Sequence, residues 1–126
     1  MSELYNRSWL LTVKCADVPF AQLKEKLSNY VYIGQQEKGE KTGYEHYQIY
    51  IENTAQIRFE TLKNKFPTAH CEIRRGTKQQ AFDYCTKEET RIGEIFGNGE
   101  IDLKDEQGTV DKNKKFENLD FDIKSL

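Results

Sequence analysis

Three short stretches of this 126-residue chain carry side chains whose types and spacing suit chemistry. In "FDYCTKEET" (82–90), Tyr84 and Lys87 stand three apart, with Glu88 following. On a helix, Lys87 at i+3 and Glu88 at i+4 share the face of Tyr84. A phenol with a pKa of about 10 stays mostly protonated at neutral pH, so to attack a phosphodiester it needs an activated electrophile, an acceptor for its proton, or both. A lysine ammonium beside it would stabilise the phenolate or the charge developing on an attacked phosphate. The competing reading is that Tyr84 anchors the helix to the domain body, with Lys87 and Glu88 on an ordinary solvated surface.

The second stretch is "HYQIYIE" (46–52), where tight alternation marks a strand. Tyr47, Ile49 and Ile51 point one way; His46, Gln48, Tyr50 and Glu52 point the other. An imidazole nitrogen beside an amide oxygen can hold a divalent cation. Glu37, in "QQEKGE" (35–40) on the way out of the neighbouring strand, offers a third donor. One nitrogen, several oxygens and no thiolate favour Mg²⁺ or Mn²⁺ over zinc. Glu88 is a candidate fourth ligand. An isolated H-x-Q is also compatible with two partly exposed strand residues that bind nothing.

The elements that must position these groups follow from periodicity. "RSWLLTVK" (7–14) reads as a buried strand. "PFAQLKEKL" (19–27) opens a helix at Pro19, with Phe20, Leu23 and Leu27 on one face. "NYVYIGQQ" (29–36) is a second strand, followed by a turn through Gly39–Gly43, then strand 46–52. "TAQIRFETLKNKF" (54–66) reads as a helix capped by Thr54, with Ile57, Leu62 and Phe66 inward and Pro67 ending it. "AHCEIRR" (69–75) is a fourth strand; Thr77 caps a helix over 78–89; "RIGEIFG" (91–97) closes or covers the sheet. The order predicts an α+β sandwich, an antiparallel sheet with helices packed against it.

Together these stretches resemble a known family: the replication-initiator (Rep) endonuclease domain of circular single-stranded DNA viruses, circovirus- and nanovirus-like, among the HUH endonucleases. "WLLTVKC" (9–15) lies where the family's first motif sits, "HYQIYIE" matches its metal motif, and "RRGTKQQAFDYCTKEE" (74–89) matches its RGT…YxxK segment. The similarity runs from about residue 7 to 97 in order. The chain departs from the family where Lys14-Cys15 replace an Asn-Asn pair and Glu45 replaces a proline.

The resemblance implies a five-stranded antiparallel sheet flanked by helices, an RRM/ferredoxin-like HUH endonuclease fold over residues 1–97. It implies a metal-dependent enzyme that nicks and rejoins single-stranded DNA at an origin stem-loop, starting rolling-circle replication. Tyr84 would form a 5′-phosphotyrosine, helped by Lys87. Glu37, His46 and Gln48, with Glu88, would hold Mg²⁺ or Mn²⁺. The family also implies a helicase domain and self-association in a full-length protein; no GxxxxGK[ST] occurs here, so the chain reads as an excised N-terminal domain or one that needs a partner for unwinding.

Composition limits the alternatives. Residues 1–97 hold 14 basic and 13 acidic side chains, so charge alone does not announce nucleic acid. Residues 98–126 hold 5 and 8 and read as an acidic linker or tail. No apolar run approaches the roughly 18 residues needed to cross a membrane, and no signal peptide is read. The three cysteines, Cys15, Cys71 and Cys85, form no CxxC pair, which suits an intracellular protein; a host-nuclear location rests on the family. The expected DNA-backbone contacts are Arg74, Arg75 and Lys78, with Lys14 and Arg7 behind them, and Tyr50 is a candidate base-stacking ring. Two other classes stay open: an RRM-like nucleic-acid-binding module without catalysis, and a small protein-interaction domain. No aromatic RNP1-type string supports the first.

Overall fold

A computed structural model of the chain describes residues 4–39 and 43–104. Five strands and three helices follow one another along the described residues: β1 (Tyr5–Lys14), α1 (Phe20–Lys26), β2 (Tyr32–Lys38), β3 (Glu45–Arg58), α2 (Phe59–Lys65), β4 (His70–Ile73), α3 (Lys78–Cys85) and β5 (Arg91–Asn98). The strands form one sheet in the order β4-β1-β3-β2-β5, with every pairing antiparallel. The expected α+β architecture is therefore present, and 91–98 closes the sheet as an edge strand against β2.

Alternation sends the two halves of each strand to different layers. Trp9, Leu11, Val13, Tyr47, Ile49 and Ile51 pack with Leu23 of α1 and Leu62 of α2. The residues out of phase with them, Leu10 and Tyr50, pack with Ala81 and Cys85 of α3. So α1 and α2 cover one face, and α3 alone covers the face that carries His46 and Gln48.

The sequence expectation fails at 54–58. Thr54 caps no helix: β3 continues to Arg58, and α2 starts only at Phe59. The register explains why. Ser8 pairs with Glu52 and Asn6 with Ile57, so the chain loops out over 53–56 and then returns to the sheet. The Trp9 indole N–H holds that return by donating to the Ile57 carbonyl at 3.2 Å. Ile57 is buried, as expected, but from a strand.

Helix α3 is capped as expected. The Thr77 side chain accepts from the Gln80 backbone N–H at 3.1 Å, completing a capping box with the Gln80 side chain. It ends four residues earlier than expected, at Cys85. The Thr86 hydroxyl donates back to the Phe82 carbonyl at 2.8 Å, and Arg91 donates to the Thr86 carbonyl at 3.2 Å, so the chain turns toward the sheet. Lys87 and Glu88 consequently lie in a turn and not on the helix. Past β5, Ile101 packs on the α3 side and the Lys104 carbonyl accepts from Lys78 at 2.7 Å. The remainder of the expected tail, 105–126, lies outside the described residues. No helix among the described residues is long and apolar enough to cross a membrane.

Candidate active site

β2 begins and ends later than the sequence suggested, which places Glu37 inside the strand, directly opposite His46 of β3. One pair further in, Gln35 faces Gln48, and Gln48 faces Thr12 of β1. Close approach of these strands depends on Gly34, where an added Cβ would meet the Gln48 carbonyl at 2.7 Å. Two-residue alternation then presents Gln35 and Glu37 on the same face as His46 and Gln48.

The Glu37 carboxylate is the hub, with its side chain only 3% exposed. His46 Nε2 lies 3.2 Å from its Oε1, and Lys87 Nζ donates to both oxygens at 3.2 and 3.1 Å. The Gln35 amide donates to Oε2 at 2.7 Å. Burial pushes the carboxyl pKa up, but the hydrogen bonds from His46 and Gln35 and the Lys87 charge outweigh it, leaving the group below its ordinary value. A buried carboxylate with these partners stays ionised at neutral pH.

Tyr84 projects from α3 into the same layer, packed against Leu10, Tyr50 and Ala81. The Lys87 ammonium sits 4.0 Å from its ring centroid, within cation–π range, and donates to the Tyr84 carbonyl at 3.3 Å. Burial, then the Cys85, Glu37 and Glu72 acidic groups, raises the Tyr84 pKa well above the usual phenol range. The hydroxyl is thus protonated at rest, and its attack on anything requires local positive charge. Cys85, wholly buried behind it, is likewise pushed up by burial and is a packing residue.

The donors suit a hard cation. Glu37 supplies carboxylate oxygen, His46 imidazole nitrogen and Gln48 amide oxygen, the mix that Mg²⁺ and Mn²⁺ accept. Gln48 is oriented: its amide nitrogen donates to the Leu11 carbonyl at 3.1 Å, and its oxygen accepts from the Thr12 hydroxyl at 3.0 Å, leaving one lone pair. Glu88 is different. It is exposed in the turn beyond α3, so the i+4 relation to Tyr84 that recommended it does not exist. Among the described residues no hydrogen bond or ion pair joins it to Glu37, His46 or Gln48.

The expected DNA contacts divide. Lys14 pairs across the sheet with His46, is exposed, and stands 5.5 Å over the Tyr44 ring. Arg75 is 56% exposed and 3.5 Å from Glu72. Arg74 is drawn inward to Glu52 at 3.6 Å and to the Gly76 carbonyl, and Lys78 is buried against Lys104. Arg7, Arg74 and Lys78 line a polar cavity of about 210 Å³ with Ser8, Glu52 and Gln56. Tyr50 is fully buried, its hydroxyl donating to Glu52, so no base stacks on it. The residue that sequence reasoning missed is Gln35. Its signal was the same as that of His46 and Gln48: a Q-x-E pair on a strand puts both side chains on one face.

The family model for viral replication proteins matches residues 6–88. The chain is 32% identical over 95 residues to the master replication protein of Banana bunchy top virus, covering 75% of this chain and 32% of that protein. It is 37% identical over 93 residues to the master replication protein of Milk vetch dwarf virus, covering 74% and 31%. It is 28% identical over 102 residues to Para-Rep C1 of the Milk vetch dwarf C1 alphasatellite, covering 80% and 34%. The chain therefore spans about a third of the length of these relatives. With the match running from Asn6 in β1 through α3 to Glu88, the chain belongs to the viral replication protein family.

Proposed function

We propose that this domain nicks and rejoins single-stranded origin DNA and so initiates rolling-circle replication. The observation that carries the reading is the convergence of Tyr84, Lys87, Glu37, His46 and Gln48 from two strands, a helix and a turn onto one face of the sheet. In the proposed reaction the Tyr84 oxygen attacks the scissile phosphorus, and a P–O bond forms as the bond to the 3′ oxygen breaks. The phenol proton is lost and the departing 3′ oxygen gains one, leaving a 5′-phosphotyrosine and a free 3′-hydroxyl. Attack of a 3′-hydroxyl on that phosphotyrosine reverses the steps and reseals the strand.

Each side chain has a part. Lys87 neutralises the phenolate as it forms, countering the burial that keeps Tyr84 protonated. Glu37, His46 and Gln48 would hold Mg²⁺ or Mn²⁺, which supplies Lewis-acid polarisation of the phosphate. Thr12 and the Leu11 carbonyl fix which atom Gln48 presents. Lys14, opposite His46 in the sheet, and Arg75, just beyond β4, are exposed and are the strand's phosphate contacts.

The test uses a labelled random-sequence single-stranded library incubated with Mn²⁺, Mg²⁺ or EDTA, followed by denaturing electrophoresis. A metal-dependent protein–DNA adduct, absent in Tyr84→Phe, is expected. Tight strand binding with no adduct in any metal would replace this reading with that of a non-catalytic binding module.

A further inference from the structure

Gln35 is a buried polar residue to which the nicking reading gives no part. Its side chain is wholly buried in β2. One N–H of its amide donates to Glu37 Oε2 and the other to the Lys87 carbonyl, both at 2.7 Å. Two acceptors on one nitrogen fix which end of the amide is which. The amide oxygen, also buried, accepts no hydrogen bond from the described residues.

We propose that Gln35 is a positioning residue that locks Glu37 and Lys87 into one geometry for the nicking chemistry; the inference rests on that reading. Two facts about the fold make the lock necessary. Helix α3 ends at Cys85, so helical hydrogen bonding does not hold the Lys87 peptide; Gln35 holds it instead. The Glu37 carboxylate would otherwise rotate about its terminal torsion, which is a broad, soft one. With Oε2 taken by Gln35, Oε1 is kept toward His46. One strand thus sets both ends of the Lys87–Glu37 contact, the lysine through its backbone and the carboxylate directly. Loss of the amide leaves every reacting group present but loosens their mutual placement, to which phosphoryl transfer is sensitive.

The experiment compares wild type with Gln35→Leu, which keeps the bulk and removes both donors. Three quantities are read: the single-turnover rate of adduct formation with Mn²⁺, on a strand recovered from the wild-type adducts; affinity for that strand in EDTA; and Mn²⁺ affinity from the free-ion electron paramagnetic resonance signal. The expected result is an adduct rate at least about tenfold slower with weaker Mn²⁺ binding, and strand affinity within about twofold of wild type. An unchanged rate, or a slower rate fully matched by weaker strand binding, overturns the inference while leaving the nicking reading intact. Failure of the wild type itself to form an adduct overturns both. Should Gln35→Leu not fold, nuclear magnetic resonance of the wild type decides: both Gln35 side-chain amide protons must be protected from solvent exchange, and free exchange of either refutes the bridge.

Discussion

Under α1 and α2 the strands contribute hydrocarbon and rings: Trp9, Leu11, Val13, Tyr47, Ile49 and Ile51, all but closed to solvent. One residue out of phase, under α3, the same strands contribute Ser8, Gln35, Glu37 and Gln48, just as buried, with a small apolar cluster around Leu10 and Tyr50. The first face gains stability from apolar area and dense packing. The second holds its shape by directed hydrogen bonds, and each of its buried polar groups costs free energy wherever a partner is missing. Separating the two lets the apolar layer carry a polar layer whose buried groups cost stability. The short helix α3, eight residues long, is the only helix on that polar side among the described residues.

The comparison can be broken most forcefully on the apolar face. Trp9→Ala removes a fully buried indole and frees the Asn6 and Ile57 carbonyls that it bonds. Urea unfolding should show a loss of about 3–5 kcal/mol. Tyr84→Phe, on the other face, should leave the unfolding midpoint close to wild type while removing adduct formation.

Acidification sharpens the contrast next. Glu37 has a folded pKa below its ordinary 4.5, so it contributes stability above that pH and loses it as pH falls through the lowered value. Glu37→Gln should therefore unfold with a flatter pH dependence than wild type below pH 4.5, read from urea titrations at successive pH values. A variant on the apolar face such as Leu11→Val should keep the wild-type slope.

The smallest effect is at the helix cap. Thr77→Ala breaks the capping box of α3 and should cost about 1 kcal/mol. Amide exchange should rise at the start of α3 and stay unchanged in α1 and α2.

How much of this was legible in the sequence depended on the range of the interaction involved. His46, Gln48, Tyr50 and Glu52 sorted to one face because strand alternation is local and strict, and Thr77 was legible as a cap because the bond it makes reaches only three residues along the chain. The extension of β3 to Arg58 did not declare itself. It depends on pairing with Tyr5 and Asn6, some fifty residues earlier, and on an indole bond to Ile57. The end of α3 was hidden in part for the same reason: Gln35, fifty-two residues away, takes the carbonyl of Lys87, while the nearby Arg91 takes that of Thr86. Lys87 nonetheless reaches Tyr84 through a turn, whereas Glu88 is carried out to solvent by it. Arg74 and Lys78 looked like surface cations because their partners, Glu52 and Lys104, are remote in the chain.

The central claim is that Tyr84 is the nucleophile, and mass spectrometry of the protease-digested adduct tests it most directly. A nucleotide mass is expected on the tyrosine of the peptide that contains Tyr84, formed with Mn²⁺ and absent with EDTA. A nucleotide on any other side chain, such as the exposed Tyr44 beside Lys14, would contradict it.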